Sequence, residues 1–226
     1  MSGRQNIEDG TIEAMKWAGL VCMAGDHVNK YLLADTVPAL FDAGRLAMPL
    51  FAFVFAYNLA RPNAMGRGLY GRASRNLLIY GLLASPAFIG LGGLAWGWYP
   101  LNIMFMLAGA TGILYLVEKG GAGRQTGALA LFLVAGALVE FWWFALAFVL
   151  LSWWYVRSGR IVALGLMTVT LAALVVINKN YWALAALPLI LVAPRVSLKV
   201  PRTGRFFYVF YPAHLTVIFA LHALSK

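Results

Sequence analysis

Nine stretches of the chain are apolar for long enough to cross, or nearly cross, a lipid bilayer: residues 14–34, 45–60, 76–95, 100–117, 127–140, 142–156, 161–178, 181–194 and 206–224. A hydrocarbon core takes about 20 mostly apolar residues per helix, and inside it every backbone N–H and C=O must be satisfied by protein. Spans of this kind leave one architecture, an all-α, polytopic transmembrane helical bundle of about nine spans. The short windows 127–140 and 181–194 are the weakest of the set. Composition points the same way, since 62% of the 226 residues are hydrophobic and only 12% are charged, a mix outside the range of soluble globular domains. No polar stretch is longer than a loop of about 15 residues, and no repeat of fixed period is visible, so residues 1–226 read as one integral-membrane domain. The start, MSGRQNIEDGTIEA, has no short apolar core followed by a small-residue cleavage site, so the first span is expected to be permanent.

The formal net charge of +10 would fit a nucleic-acid binder if it formed one basic face. Instead the cations sit in alternate connections between apolar windows. Arg61, Arg67, Arg72 and Arg75 follow the second window, Lys119 and Arg124 the fourth, Arg157 and Arg160 the sixth, and Arg195, Lys199, Arg202 and Arg205 the eighth. With Arg4 and Lys16 near the N-terminus, these account for all but Lys30, Arg45, Lys179 and Lys226 of the 18 Lys and Arg residues. Positive charge is retained on the cytoplasmic side, so the expected orientation is N-terminus cytoplasmic and C-terminus periplasmic, with lipid and not nucleic acid as the partner. Trp96, Trp98, Tyr99, Trp142, Trp143, Tyr181 and Trp182 cluster at the predicted outer ends, where amphipathic rings favour the interface. The single cysteine, Cys22, allows no intrachain disulfide and reads as a small buried hydrophobe; no zinc cluster is visible, so no metal site is expected.

Against this background GDHVNK, residues 25–30, is out of place within the first span. At 1.5 Å per residue from Ala14, Asp26 and His27 lie about 18 to 20 Å along it, in the outer half of the bilayer. An ionised Asp at the centre of a membrane helix costs about 2.5–3.5 kcal/mol, so such a side chain faces a cavity or a partner. Lys30 shares a helical face with both residues, and Arg45 opens the second span at the same level. The charges either form an ion cluster that fixes helix register or belong to a site. A histidine with a carboxylate neighbour suits general-base chemistry near neutral pH, whereas a lone histidine on an apolar face is ordinarily packed core. His214 lies in RFFYVFYPAHLTVIF, after Tyr211 and Pro212; a proline there removes one backbone hydrogen bond and bends the helix, which suits a cavity wall, with packing as the alternative. His222 reads as interfacial. Asn58, near the inner end of the second span, and Asn102, at the outer start of the fourth, fit either interhelical hydrogen bonds or a polar cavity.

DHVNK in the first span, GRLAMPLFAFVFAYNLAR in the second, YPLNIMF in the fourth and FFYVFYPAHLTVI in the last, in this order, resemble the TraX family of conjugation proteins. That family is linked to N-terminal acetylation of the F-type pilin subunit and is related to integral-membrane acyltransferases that acetylate cell-envelope sugars. The resemblance implies a multi-pass protein of the bacterial inner membrane that transfers an acetyl group from acetyl-CoA to the amine of a pilin subunit after its signal is cleaved. It implies roles for the residues singled out above. His27 would act as base, Asp26 would orient it, and Arg45 or Asn102 would stabilise the oxyanion. Lys30, Asn58, Tyr211 and His214 would line the cavity for substrate and acyl donor together with Asn102. Arg61, Arg67, Arg72 and Arg75, with the 195–205 loop, would hold the CoA phosphates; simple positive-inside retention is the other reading of these arginines. Three other functions stay open from sequence: O-acetylation of a periplasmic glycan, a non-enzymatic pilin assembly factor, and a proton-coupled transporter.

Overall fold

The computed structural model describes residues 5–92 and 94–225, so Arg4 and Lys226 of the charge pattern lie outside the described residues. The described chain is helical, with no strand beyond isolated bridges at Trp96/Tyr99 and Leu101/Val139. In order the helices are α1 (Asp9–Leu32), α2 (Pro38–Gly44), α3 (Ala47–Leu59), α4 (Leu69–Gly90), α5 (Ile103–Lys119), α6 (Ala122–Leu138), α7 (Trp142–Ser158), α8 (Ile161–Ala173), α9 (Val175–Asn178), α10 (Ala186–Val192) and α11 (Phe206–Leu224). Each apolar window falls largely on a helical stretch: α2 and α3 form one bent rod, α8 and α9 another, and α10 lies between 3-10 turns at Trp182–Ala185 and Ala193–Arg195. Three stretches, Pro38–Leu59, Ile161–Asn178 and Phe206–Leu224, are long and apolar enough to cross a membrane; Ala122–Leu138 and Trp182–Arg195 are apolar but shorter.

Helix boundaries depart from the windows where an apolar stripe outlasts the apolar run. The α4 helix begins at Leu69, not at residue 76, because Tyr70, Ala73 and Leu77 repeat at helical spacing and are buried, while Arg72 and Arg75 on the same turns are exposed. Asn102 starts α5 as its N-cap, its side chain accepting from the Met104 N–H at 3.1 Å. Helices α1, α3, α7, α5, α4 and α11 pack in that order into a ring that closes where α11 meets α1. Helices α3 and α7 pack against each other, and Ala52 and Ala56 of α3 and Ala145 and Val149 of α7 are fully buried. Small side chains let two backbones approach closely, which matters most in lipid, where packing replaces the hydrophobic drive between helices. Outside the ring, α6 lies on α5 and α7, and α8 on α7.

The basic connections meet at one end. Gln5 N–H donates to Val156 O at 2.9 Å, Asp9 accepts from Arg61 and, at 2.6 Å, from Arg202, and Glu118 accepts from Arg157 at 3.0 Å. An extended segment, residues 196–203, docks along the first turns of α1: Thr11 Oγ1 donates to Val196 O at 2.6 Å and the Thr203 N–H donates to Glu13 Oε1 at 2.9 Å. A Cβ on Gly10 would stand 1.8 Å from the Leu198 carbonyl oxygen, so only glycine permits this contact. The opposite end gathers the connections around residues 33–37, 94–101, 139–141 and 179–181, joined by Glu140 N–H to Leu101 O at 2.9 Å, Asn180 Nδ2 to Asp42 Oδ1 at 3.0 Å and His222 Nδ1–H to Tyr31 O at 2.7 Å. Trp96, Trp98, Tyr181 and Trp182 are exposed there.

Candidate functional site

Inside the helix ring three cavities adjoin through shared walls. The innermost, a chamber of about 70 Å³, is walled by Asp26 and His27 from α1, Gly44 and Arg45 from the α2–α3 bend, Glu140, Asn178 and Tyr211. Since one water needs about 10–15 Å³ by the same measure, the chamber holds a few waters or a small acyl group. Met23, Phe51, Ile103 and Tyr211 are common to it and to an apolar neck of about 150 Å³. Lys16, Phe55, Asn58, Gly204 and Tyr208 are common to the neck and to a mouth of about 340 Å³, which opens among Arg61, Arg67, Arg72 and Arg202.

In the chamber the adjacent residues Asp26 and His27 serve different partners. Asp26 Oδ2 accepts from Arg45 Nη2 at 2.6 Å, with both side chains largely buried, while Asp26 Oδ1 is buried without a hydrogen-bond partner. Arg45 is further held by its Nε donating to Phe41 O at 3.1 Å and by the Phe41 ring, 4.2 Å from its Cζ. Gly44 makes room for this pair, because a Cβ there would lie 2.4 Å from Asp26 Cβ. His27 instead pairs with His214, Nδ1 to Nε2 at 2.8 Å, and His214 Nδ1 lies 3.0 Å from the Phe210 carbonyl oxygen. A carbonyl only accepts, so His214 carries its proton on Nδ1 and presents the Nε2 lone pair to a His27 Nδ1–H. That tautomer leaves the lone pair on His27 Nε2. His214, and not the Asp26 that the sequence suggests, is therefore the hydrogen-bond partner that orients the imidazole.

The remaining candidates separate. Tyr211 is buried and belongs to both chamber and neck. Asn58 lies where neck meets mouth, its Oδ1 accepting from Arg61 Nε at 3.1 Å. Asn102 is spent on structure: beyond capping α5, its amide donates to Gly81 O at 3.0 Å, and it does not line the chamber. Lys30 is exposed and lies over the Tyr31 ring at 5.0 Å, outside the chamber walls. Arg75 is exposed on α4 and is not part of the mouth, whereas Arg67 and Arg72 are. The polar chamber residues absent from the sequence reading are Glu140 and Asn178. Glu140 stands on the three-residue link between α6 and α7, where Phe141 and Trp142 take left-handed φ values of 61° and 51°. Such conformations in non-glycine residues persist only where their surroundings hold them, and they concentrate at functional sites.

At the mouth, Asp9 is held below the usual carboxylate range by its hydrogen bond from Arg61, against a smaller effect of burial and with help from Arg202. Glu13, just outside the first apolar window, is raised by burial but more than compensated by hydrogen bonds from Lys16 and Thr203, so its net shift is downward.

A profile described as TraX protein matches residues 11–222. A protein named TraX from Escherichia coli is 30% identical over 221 residues, covering 92% of this chain and 86% of its own length. A second, Protein TraX of Escherichia coli K12, is 32% identical over 134 residues, 57% of this chain and 49% of its own length. No solved structure matches. With the match spanning nearly every helix of the ring and both halves of the chamber, the chain belongs to the TraX family.

Proposed function

We propose that this chain is an acetyltransferase of the bacterial inner membrane that moves an acetyl group from cytoplasmic acetyl-CoA to an exported acceptor, the N-terminal amine of a conjugative pilin subunit. The observation that supports it most is the series of adjoining cavities from a mouth of arginines, through an apolar neck, to a small chamber holding His27. The basic end is read as cytoplasmic, with the chain N-terminus on that side and the C-terminus periplasmic. The family's link with pilin acetylation is what supports a pilin amine as that acceptor.

Bound acetyl-CoA supplies an activated acyl group as its thioester. Arg61, Arg67, Arg72 and Arg202 suit its phosphates by charge-assisted hydrogen bonds, and the neck suits the slender arm. A chamber of about 70 Å³ fits acetyl better than a long acyl chain. The orphaned Asp26 Oδ1 fits a site that meets a polar ligand. In the reaction the acceptor nitrogen bonds to the acyl carbon as the carbon–sulfur bond breaks. His27 Nε2 takes the proton from nitrogen and returns it to the departing sulfur, so free thiol leaves and His27 ends neutral. His214 and the Phe210 carbonyl hold His27 in the tautomer this needs. Arg45 carries positive charge at the chamber wall, where negative charge develops on the acyl oxygen.

The test is thiol release from acetyl-CoA by purified protein supplied with a peptide bearing a free N-terminal amine. His27→Ala should lower turnover by about 10²-fold or more with expression unchanged. Retained turnover in that variant would remove His27 from the role. Release with a glycan hydroxyl but not with an amine would move the acceptor to an envelope sugar, and no release from wild type would favour a transporter or an assembly factor.

A further inference from the structure

Resting on the acetyl-transfer reading, we propose that Glu140 makes the chamber selective for amines: its carboxylate holds the incoming ammonium and takes the first of the two protons that an amine must lose. The protonation ledger separates the acceptor classes. A sugar hydroxyl arrives neutral and loses one proton, which His27 Nε2 takes and returns to sulfur. A primary amine arrives as R–NH3⁺ with its lone pair blocked. One proton must leave before nitrogen can attack, and a second leaves as the carbon–nitrogen bond forms. Free thiol carries away only one, so the chamber needs a second acceptor that discharges to water.

Among the described residues the other polar groups of the chamber are committed. Asp26 is neutralised by Arg45 at 2.6 Å, and His27 Nδ1 is tied to His214. Asn178 accepts from Arg45 Nη1 at 3.5 Å. Tyr211 and Asn178 carry no charge. Glu140 lines the chamber and forms no ion pair, unlike Asp9, Glu13, Asp26 and Glu118, each of which has a Lys or Arg within 4.0 Å. Its backbone is fixed by the bond from its N–H to Leu101 O, and the left-handed pair Phe141 and Trp142 turns the chain at this point. A carboxylate with no Lys or Arg in direct contact is costly in such a place alone and favourable opposite an incoming cation. The orphaned Asp26 Oδ1 offers the same ammonium a second hydrogen-bond acceptor. Glu140 sits at the end of the ring opposite the arginine mouth, so donor and acceptor enter from different ends and its proton is released on the acceptor's side.

The experiment compares wild type, Glu140→Gln, Glu140→Asp and His27→Ala as full chains in detergent, with acetyl-CoA and two probes. One is a short peptide with a free N-terminal amine, cationic at neutral pH; the other is hydroxylamine, which is mostly uncharged there. Only about a tenth of an ordinary α-amine is free base at pH 7. Glu140→Gln should therefore lose about tenfold on the peptide at pH 7, regain most of it above the amine's pKa near 8, and lose markedly less on hydroxylamine than on the peptide. Glu140→Asp should keep part of the peptide activity. Equal losses on both probes at every pH, or no loss on the peptide, would overturn the proposal. Wild-type turnover of hydroxylamine but never of the peptide would leave acetyl transfer standing and remove the amine assignment. No wild-type turnover of either probe would overturn both.

Discussion

Asp26 and His27 read in the sequence as one catalytic pair, yet the helix separates them. Successive residues on an α-helix point about 100° apart, so neighbours at i and i+1 face different partners. Asp26 turns to Arg45 on the α2–α3 bend and His27 to His214 on α11. The residue types were legible; the pairing was not, because it depends on which helices flank α1. Glu140 ends the 127–140 apolar window, and hydropathy does not register that this end meets α1, the α2–α3 bend and Tyr211 around one chamber. His214→Ala removes the group that orients the base, and turnover should fall by about 10²-fold, with His214→Gln, which can still accept the Nδ1–H, retaining more. A merely structural histidine would instead show equal loss of thermal stability in both variants and no difference in rate. Gly44→Ala places a methyl group 2.4 Å from Asp26 Cβ. That overpacking should cost about 1–3 kcal/mol, read as a lower unfolding temperature; an unchanged midpoint would show that the pair can shift freely.

At the scale of elements, each window fell on helix, but α2 (Pro38–Gly44) lies between two windows, and the helix ends were set by forces hydropathy does not register. The α1 helix begins at Asp9, ahead of the apolar run, because the 196–203 segment supplies partners for its first polar turns. The window 181–194 reads as one span but breaks into 3-10 turns around α10, where Pro188 and Pro194 lack the N–H that a continuous helix would use. The docking of 196–203 makes a pH-dependent prediction. Since the folded state depresses the Glu13 pKa, its contribution is present above the ordinary Glu value of about 4.3 and is lost as pH falls below it toward the depressed value. Hydrogen exchange of residues 196–203 should quicken over that acidic window in wild type and already be quick at neutral pH in Glu13→Gln. Identical exchange in the two proteins at pH 7 would show that Glu13 does not hold the segment.

On the scale of the whole molecule, the ring of six helices encloses a row of adjoining cavities, a route if they connect in use, that no single element contains. The sequence showed basic loops and polar spans as separate facts, and only packing shows Arg67 and Arg72 facing the route while Arg75, one turn from Arg72, faces away. A charge-assisted hydrogen bond is worth about 1.5–3 kcal/mol, so Arg67→Ala and Arg72→Ala should each raise the KM for acetyl-CoA about tenfold or more with little change in kcat. Arg75→Ala should leave both constants unchanged. If all three variants behave alike, the arginines serve only membrane retention and the mouth is not the donor's entrance. The central claim, that acetyl crosses from this route to an exported amine, is tested most directly by the intact mass of the host's pilin. Cells carrying the wild-type gene should yield pilin heavier by one acetyl group at its N-terminus, whereas the deletion and His27→Ala strains should yield unmodified pilin. Equal masses from all three would contradict pilin acetylation by this protein.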